Sequence, residues 1–434
     1  MQKLRALFAL PFTRHLVTLQ TGSTVTMVAS FLQSIIFARL LGVEGYGVYA
    51  LILAFAGLCS IAAGFGQQHT TTTFLAEAWS RKDRPAMRTI AQYYLQTSLI
   101  GILLLGTLAL LAPLLTNLTY QNPGYGFLAR LILVSTMLDL LPAYVFIAMQ
   151  VSNQFRLLTI LQTFRILLQL LLSTILLLLG YGVAGTFWGP LLTSVLFFPT
   201  MLILYERKCE TWGMPSLLRE LSSLRSTSTR TYIRQGLWIA FDKHLGGNIN
   251  PNAFIFLLSL TANASTVGLF TLALRLARFP GQFISPNIHL LASTTIPKVV
   301  HRGKQAIREI SFKLMKGTMG LQIAITIVCL LIVPPLIPMV YGRAFAAAIP
   351  AFAIMLTMHL FAALQVATVP LLRVFDRVRY GVYVQIMSIA VALISYFLLL
   401  NIFDPLLSMA SAVFLYYVAQ LSLLPVLWAL LMHP

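Results

Sequence analysis

Acidic side chains are scarce in this sequence: Asp and Glu number 11 among 434 residues, against 30 Lys and Arg. The acids are scattered, and no two sit at a spacing suited to general acid–base work. Seven histidines and three cysteines add no cluster with metal-ligand spacing. Cys59, Cys209 and Cys329 form no disulfide framework and read as ordinary core- or lipid-facing residues. A Walker A glycine loop and a Gly-x-Ser-x-Gly nucleophile turn are also missing. The expectation is a protein that is not an enzyme and needs no cofactor. Any energy for its work must come from a proton or other ion gradient, the membrane potential or the substrate's own gradient. Charge as a whole is only 9% of the chain, where soluble domains carry about 25%. A soluble domain of ordinary composition is thereby excluded.

What is present is hydrophobic, at 58% of residues. The apolar residues gather in stretches at about 16–41, 46–66, 90–115, 127–150, 157–179, 184–205, 236–260, 266–290, 315–337, 346–371, 381–402 and 406–431. A bilayer crossing takes roughly 20 mostly apolar residues, and backbone groups in lipid must be satisfied within the segment, which makes each stretch a helix. The reading is an all-α polytopic membrane protein of about twelve transmembrane helices. The first stretch is too long for a signal-peptide core and lacks a small-residue cleavage site, so it is expected to remain as the first span. Asn117-Leu118-Thr119 is a formal glycosylation sequon of the kind that arises by chance.

Orientation follows from the basic residues. With the N-terminus (Lys3, Arg5, Arg14) inside, alternate loops carry Arg81, Lys82, Arg84 and Arg88, then Arg156, then the cluster from Arg207 to Arg234, then Lys298 to Lys316, and last Arg373, Arg377 and Arg379. The opposite loops hold one, Arg343. Both termini are therefore expected in the cytoplasm. The basic residues lie in gaps between apolar stretches and form no continuous basic domain, which excludes nucleic acid as the partner despite a formal charge of +19. The longest polar stretch follows the sixth span. It divides the chain into an N-terminal six-helix half (1–205), a basic cytoplasmic linker (206–235) and a C-terminal six-helix half (236–434). Gly47-Val48-Tyr49 and Gly268-Leu269-Phe270 open the second and eighth spans alike, a trace of an internal repeat.

Function is sought among charges placed at membrane depth, where they cost several kcal/mol unless they meet a partner or a wet cavity. Arg275 and Arg278 lie roughly 14 and 18 Å into the eighth span at about 1.5 Å per residue, and their i, i+3 spacing puts both on one face. Either they face a water-filled cavity, or each pairs with an acid on a neighbouring helix. Arg165 in the fifth span and Arg39 near the end of the first are shallower cases, and Arg130 reads as an interface anchor. Asp139, in the fourth span just before Pro142, is the counter-charge of an arginine, a protonatable coupling group, or neither. The seventh span carries Asp242 and Lys243, then Gly246, Gly247 and Pro251, which predict a bent or broken helix, either lining the substrate path or serving as a purely structural kink. His359 reads as a satisfied core histidine.

The stretch Ile36-Phe37-Ala38-Arg39-Leu40-Leu41-Gly42-Val43-Glu44-Gly45-Tyr46-Gly47-Val48-Tyr49-Ala50, with the basic loop Arg81-Lys82-Asp83-Arg84, resembles the opening of the Wzx-type polysaccharide transporters. These belong to the superfamily of multidrug/toxin extruders and lipid II flippases. The resemblance implies two six-helix bundles in a V, exchanging inward- and outward-open states. It also implies translocation of an undecaprenyl-pyrophosphate-linked oligosaccharide, such as an O-antigen or exopolysaccharide repeat unit, across a bacterial inner membrane, alongside other polysaccharide assembly proteins. Under it, Arg275 and Arg278 hold the pyrophosphate, with Arg39, Arg165 and Lys243 in support, since buried arginines bind phosphate bidentately. Asp139 and Asp242 serve as coupling or counter-charges, and Gly246, Gly247 and Pro251 as a hinge. The rivals are a cation-coupled drug extruder, a membrane-embedded polysaccharide polymerase or ligase, and a non-transporting assembly scaffold.

Overall fold

A computed structural model describes residues 11–64, 66–222, 251–298, 303–375, 378–422, 424–425 and 429. Among them the chain is helical and contains no strand. Helix α1 runs Pro11–Gly64 with a kink at Gly42, whose positive φ of 68° joins the first two expected spans without a loop. It is followed by α2 (Gln67–Ser80), α3 (Arg84–Tyr120), α4 (Tyr125–Val151), α5 (Phe155–Leu178), α6 (Gly182–Lys208) and the short α7 (Leu217–Ser222). Beyond the linker come α8 (Pro251–Ser259), α9 (Ala264–Lys298) and α10 (Lys304–Val340). A 3-10 turn (Arg343–Ala348) then leads into α11 (Ile349–Leu356), α12 (Met358–Leu364), α13 (Thr368–Val374), α14 (Val378–Leu399) and α15 (Pro405–Gln420).

Seven helical segments among the described residues are long and apolar enough to cross a bilayer. Two of them, Thr21–Gly64 and Phe155–Lys208, each hold two expected spans. Helices α9 and α15 occupy the places of the eighth and twelfth, and α8 is the described part of the seventh. Large apolar side chains point outward along these helices; Leu103 and Leu110 of α3 are 71% and 75% exposed. Faces of that kind are stable against lipid rather than water. The chain is an all-α polytopic membrane protein.

The chain divides into two compact units, Met1–Leu41 with Ile52–Phe241, and Gly42–Leu51 with Asp242–Pro434. In the first, the core follows an aromatic ladder. Tyr94, Tyr144 and Tyr205 are fully buried, with ring centroids 5.1 and 5.7 Å apart in turn. In the second, α9, α10 and the 366–372 segment bury Ile296, Ile307, Val366 and Leu371 together.

Local structure departs from the sequence reading in three places. The polar run Gln67–Ser80, assigned to no span, is a helix with Gln67, Thr70, Thr71 and Leu75 buried. The tenth span is helical in short pieces. Leu360, Gln365, Val366 and Thr368 donate to carbonyls only three residues back, and Pro370 has no N–H to offer. The start of the linker is folded rather than loose, because Glu206 accepts from Ser216 Oγ (2.7 Å) and the Leu218 amide (3.0 Å), and Tyr205 Oη donates to the Pro215 carbonyl (2.7 Å).

Candidate functional site

Helix α9 carries both deep arginines of the eighth span. Arg275 and Arg278 are part-buried one turn apart, on a helix whose other residues there (Leu272, Ala273, Leu274, Leu276, Ala277) are buried and apolar. Arg275 stands close enough to Tyr49 to act on it electrostatically, and Arg278 acts in the same way on His359 and Tyr417. Among the described residues Arg278 has no carboxylate partner; the ion pairs there are Arg81–Glu77, Arg88–Glu220 and Arg165–Asp139. His359 fixes the same stretch of helix. Its Nε2 lies 2.6 Å from the Ala277 carbonyl, so the ring is hydrogen-bonded within the core, as its sequence position suggested.

The second unit also explains the Gly45-Tyr46-Gly47-Val48-Tyr49 motif, since Gly42–Leu51 is part of it. A Cβ on Gly47 would overlap the Ala264 carbonyl, and one on Gly268 would overlap the Val43 carbonyl. The two glycines that open the second and eighth spans therefore face each other at one backbone crossing. Tyr46, fully buried, packs edge-on against Phe345 at 6.0 Å. The crossing sets Tyr49 beside Arg275.

In the first unit, Asp139 of α4 binds Arg165 of α5 through a charged hydrogen bond and accepts from Ser194 Oγ of α6 at 2.9 Å. Ser135 Oγ lies 3.0 Å from Ser194 Oγ. Three helices are thus knitted by one polar cluster, its two charged side chains 24% and 26% exposed. Of the readings left open for Asp139, the structure supplies the counter-charge. A substrate phosphate reaching Arg165 would have to displace this carboxylate.

Arg39 is exposed on α1, three residues before the Gly42 turn. Pro251 is the first described residue of α8. Asp242, Lys243, Gly246 and Gly247 lie outside the described residues. Arg130 plays a structural part, since its Nε donates to the Ala109 carbonyl at 3.0 Å and its Nη2 to Leu110 at 3.2 Å. Pro113 has no N–H to give Ala109, and Arg130 supplies that donor from the next helix.

The sequence reading missed a polar face on α10. Ser311, Thr318, Gln322 and Thr326 are all buried, and Ser311 Oγ, Gln322 Nε2 and Thr326 Oγ1 have no hydrogen-bond partner among the described residues. Their spacing of seven, four and four residues was legible as a single helical stripe. Among the described residues no three His, Cys, Asp or Glu side chains could hold a metal ion.

A family model described as "Polysaccharide biosynthesis protein" matches residues 12–297. A search of curated protein sequences gives no match. Among solved structures, the chain is similar to an inward-facing MATE-family multidrug-resistance transporter of the MOP superfamily, at TM-score 0.74 and 15% identity, covering 93% of this chain and 95% of that one. It is similar to the lipid II flippase MurJ in an inward closed conformation, at TM-score 0.68 and 13% identity, covering 96% and 88%. A third likeness is to a MOP-superfamily transporter from Pyrococcus furiosus, at TM-score 0.60 and 13% identity, covering 97% and 96%.

Proposed function

Because the chain belongs to the polysaccharide biosynthesis protein family, we propose that it is a flippase for an undecaprenyl-pyrophosphate-linked oligosaccharide. It moves its substrate from the cytoplasmic to the outer leaflet of a bacterial inner membrane by alternating access. The observation that carries this reading is the pair Arg275 and Arg278, part-buried one turn apart in the middle of α9, with no described carboxylate against Arg278. Two guanidinium groups held at membrane depth fit a diphosphate, whose charge repays their desolvation through paired N–H···O bonds.

The residues divide the work as follows. Arg275 and Arg278 bind the pyrophosphate, with Arg39 and Lys243 guiding it. The Arg165–Asp139 pair is a neutral latch between three helices that a proton or a passing anion opens. The sugar crosses in water while the prenyl tail stays in lipid. An ion gradient or the membrane potential drives the cycle. A second reading, a cation-coupled extruder, draws support from the likeness to the MATE transporter and makes Asp139 the essential group.

The test replaces Arg275 and Arg278 together with Ala, and separately with Lys, and measures surface delivery of the lipid-linked glycan in a strain lacking the chain. Charged hydrogen bonds are worth about 1.5–3 kcal/mol each, so export should fall at least tenfold with Ala and partly recover with Lys, at unchanged membrane levels. Full export by the double Ala variant removes both residues from the site. Glycan delivery that is unimpaired in the strain lacking the chain, together with drug efflux that stops with Asp139→Asn, favours the extruder.

A further inference from the structure

A built cavity lies in the first unit. It measures about 340 Å³ and is lined by the first turns of α3, the segment that follows α6, and α7. Its charged lining is Arg84, Arg88, Arg219, Glu210 and Glu220, and its apolar lining includes Met87, Met214 and Pro215.

The walls are fastened. Trp79 Nε1 donates to the Trp212 carbonyl at 3.0 Å, Tyr205 Oη holds Pro215, and Glu206 holds Ser216 and Leu218. Gly213, at φ 69°, makes the turn between them. Glu220 is 4% exposed, and its carboxylate is engaged by Gln92 Nε2 at 2.8 Å and Arg88 Nε at 3.5 Å. Its charge is therefore answered inside the wall. Arg84, Arg219 and Glu210 complete the charged lining, and all three residues are exposed. Burial, followed by the nearby Glu206 charge, pushes the Cys209 thiol in the same wall up from its ordinary value, which keeps it protonated and makes covalent chemistry there a poor use of the site.

We propose that this cavity binds a phosphate ester, gripped by the guanidinium groups of Arg84 and Arg219 with the rest of the ligand against Met87, Met214 and Pro215. An arginine guanidinium matches phosphate geometry bidentately, and the volume is at the small end of those that ligand pockets use, about 300–1,000 Å³. It suits a headgroup-sized molecule. The ligand is the glycerophosphate head of an anionic membrane phospholipid or a soluble phosphate ester of similar size. This inference does not depend on the flippase reading, because none of these residues is assigned to the pyrophosphate.

The experiment titrates glycerol 3-phosphate by calorimetry into the protein reconstituted in phosphatidylcholine nanodiscs. Saturable binding is expected, weakened at least tenfold in Arg84→Gln/Arg219→Gln, which is about 1.4 kcal/mol. Both side chains are exposed, so the melting temperature should hold. The variant Arg275→Ala/Arg278→Ala should bind as the parent does. In discs that also contain phosphatidylglycerol, weaker binding of the soluble probe means that the lipid head fills the site, whereas unchanged binding means that a soluble ester does; both outcomes support it. No binding in phosphatidylcholine discs overturns the proposal. So does binding that survives the Arg84/Arg219 change, or binding lost with Arg275 and Arg278.

Discussion

A carboxylate at membrane depth is tolerable when its charge is answered on the spot, and Asp139 has Arg165 and Ser194 for that purpose. Removing one member strands the other. Asp139→Ala alone, or Arg165→Ala alone, should cost about 3 kcal/mol, read as a lower melting temperature in detergent. The double replacement should cost less than the sum, because it leaves no orphan charge. Strict additivity in that cycle would show that the two groups do not interact. At this scale the sequence offered Asp139 and Arg165 as separate candidates. Which basic residue Asp139 meets depends on how α4, α5 and α6 pack, which no spacing along one strand of sequence encodes.

At the scale of helices, proline, glycine and small polar residues decide how closely elements approach. The Gly47–Gly268 crossing leaves no room for a methyl group on either side. Gly47→Ala should push the α1 segment off α9, at an overpacking cost of about 1–3 kcal/mol. It should also lower glycan export, since Tyr49 and Arg275 are set by that contact. A variant with parental melting temperature and export would show that the crossing can widen freely. Both glycines were visible as matched openings of two spans; that they meet was not. The buried stripe on α10 and the helix of Gln67–Ser80 were overlooked for a related reason. Serine, threonine and glutamine read as loop or interface residues until burial shows which face they line.

For the whole molecule, the alternation of basic and uncharged loops makes a topological forecast. Single cysteines at Lys82 and Lys304, placed in a variant whose native cysteines are replaced, should react with an impermeant maleimide only from the cytoplasmic side. A cysteine at Asn263 or Arg343 should react only from the opposite side. Labelling of Lys82 and Asn263 from the same side would break the alternation and the assignment of spans with it. The loop charges set this orientation during insertion, so it is a property of the sequence more than of the final packing.

The sequence by itself determined that this chain lives in a bilayer, that its spans are helices and roughly where those helices lie. Long apolar runs and the need to satisfy every backbone group in lipid leave no other solution. It also marked Arg275 and Arg278 as charges out of place. Only the tertiary structure decided which charges are answered and which walls close a cavity. Arg165 found Asp139, Arg130 took over the carbonyl that Pro113 leaves open, and the segment after α6 folded back to form a pocket beside Arg84. Those outcomes turn on distances of a few ångströms between residues far apart in the chain, where a charge or a hydrogen bond gains its partner or loses it.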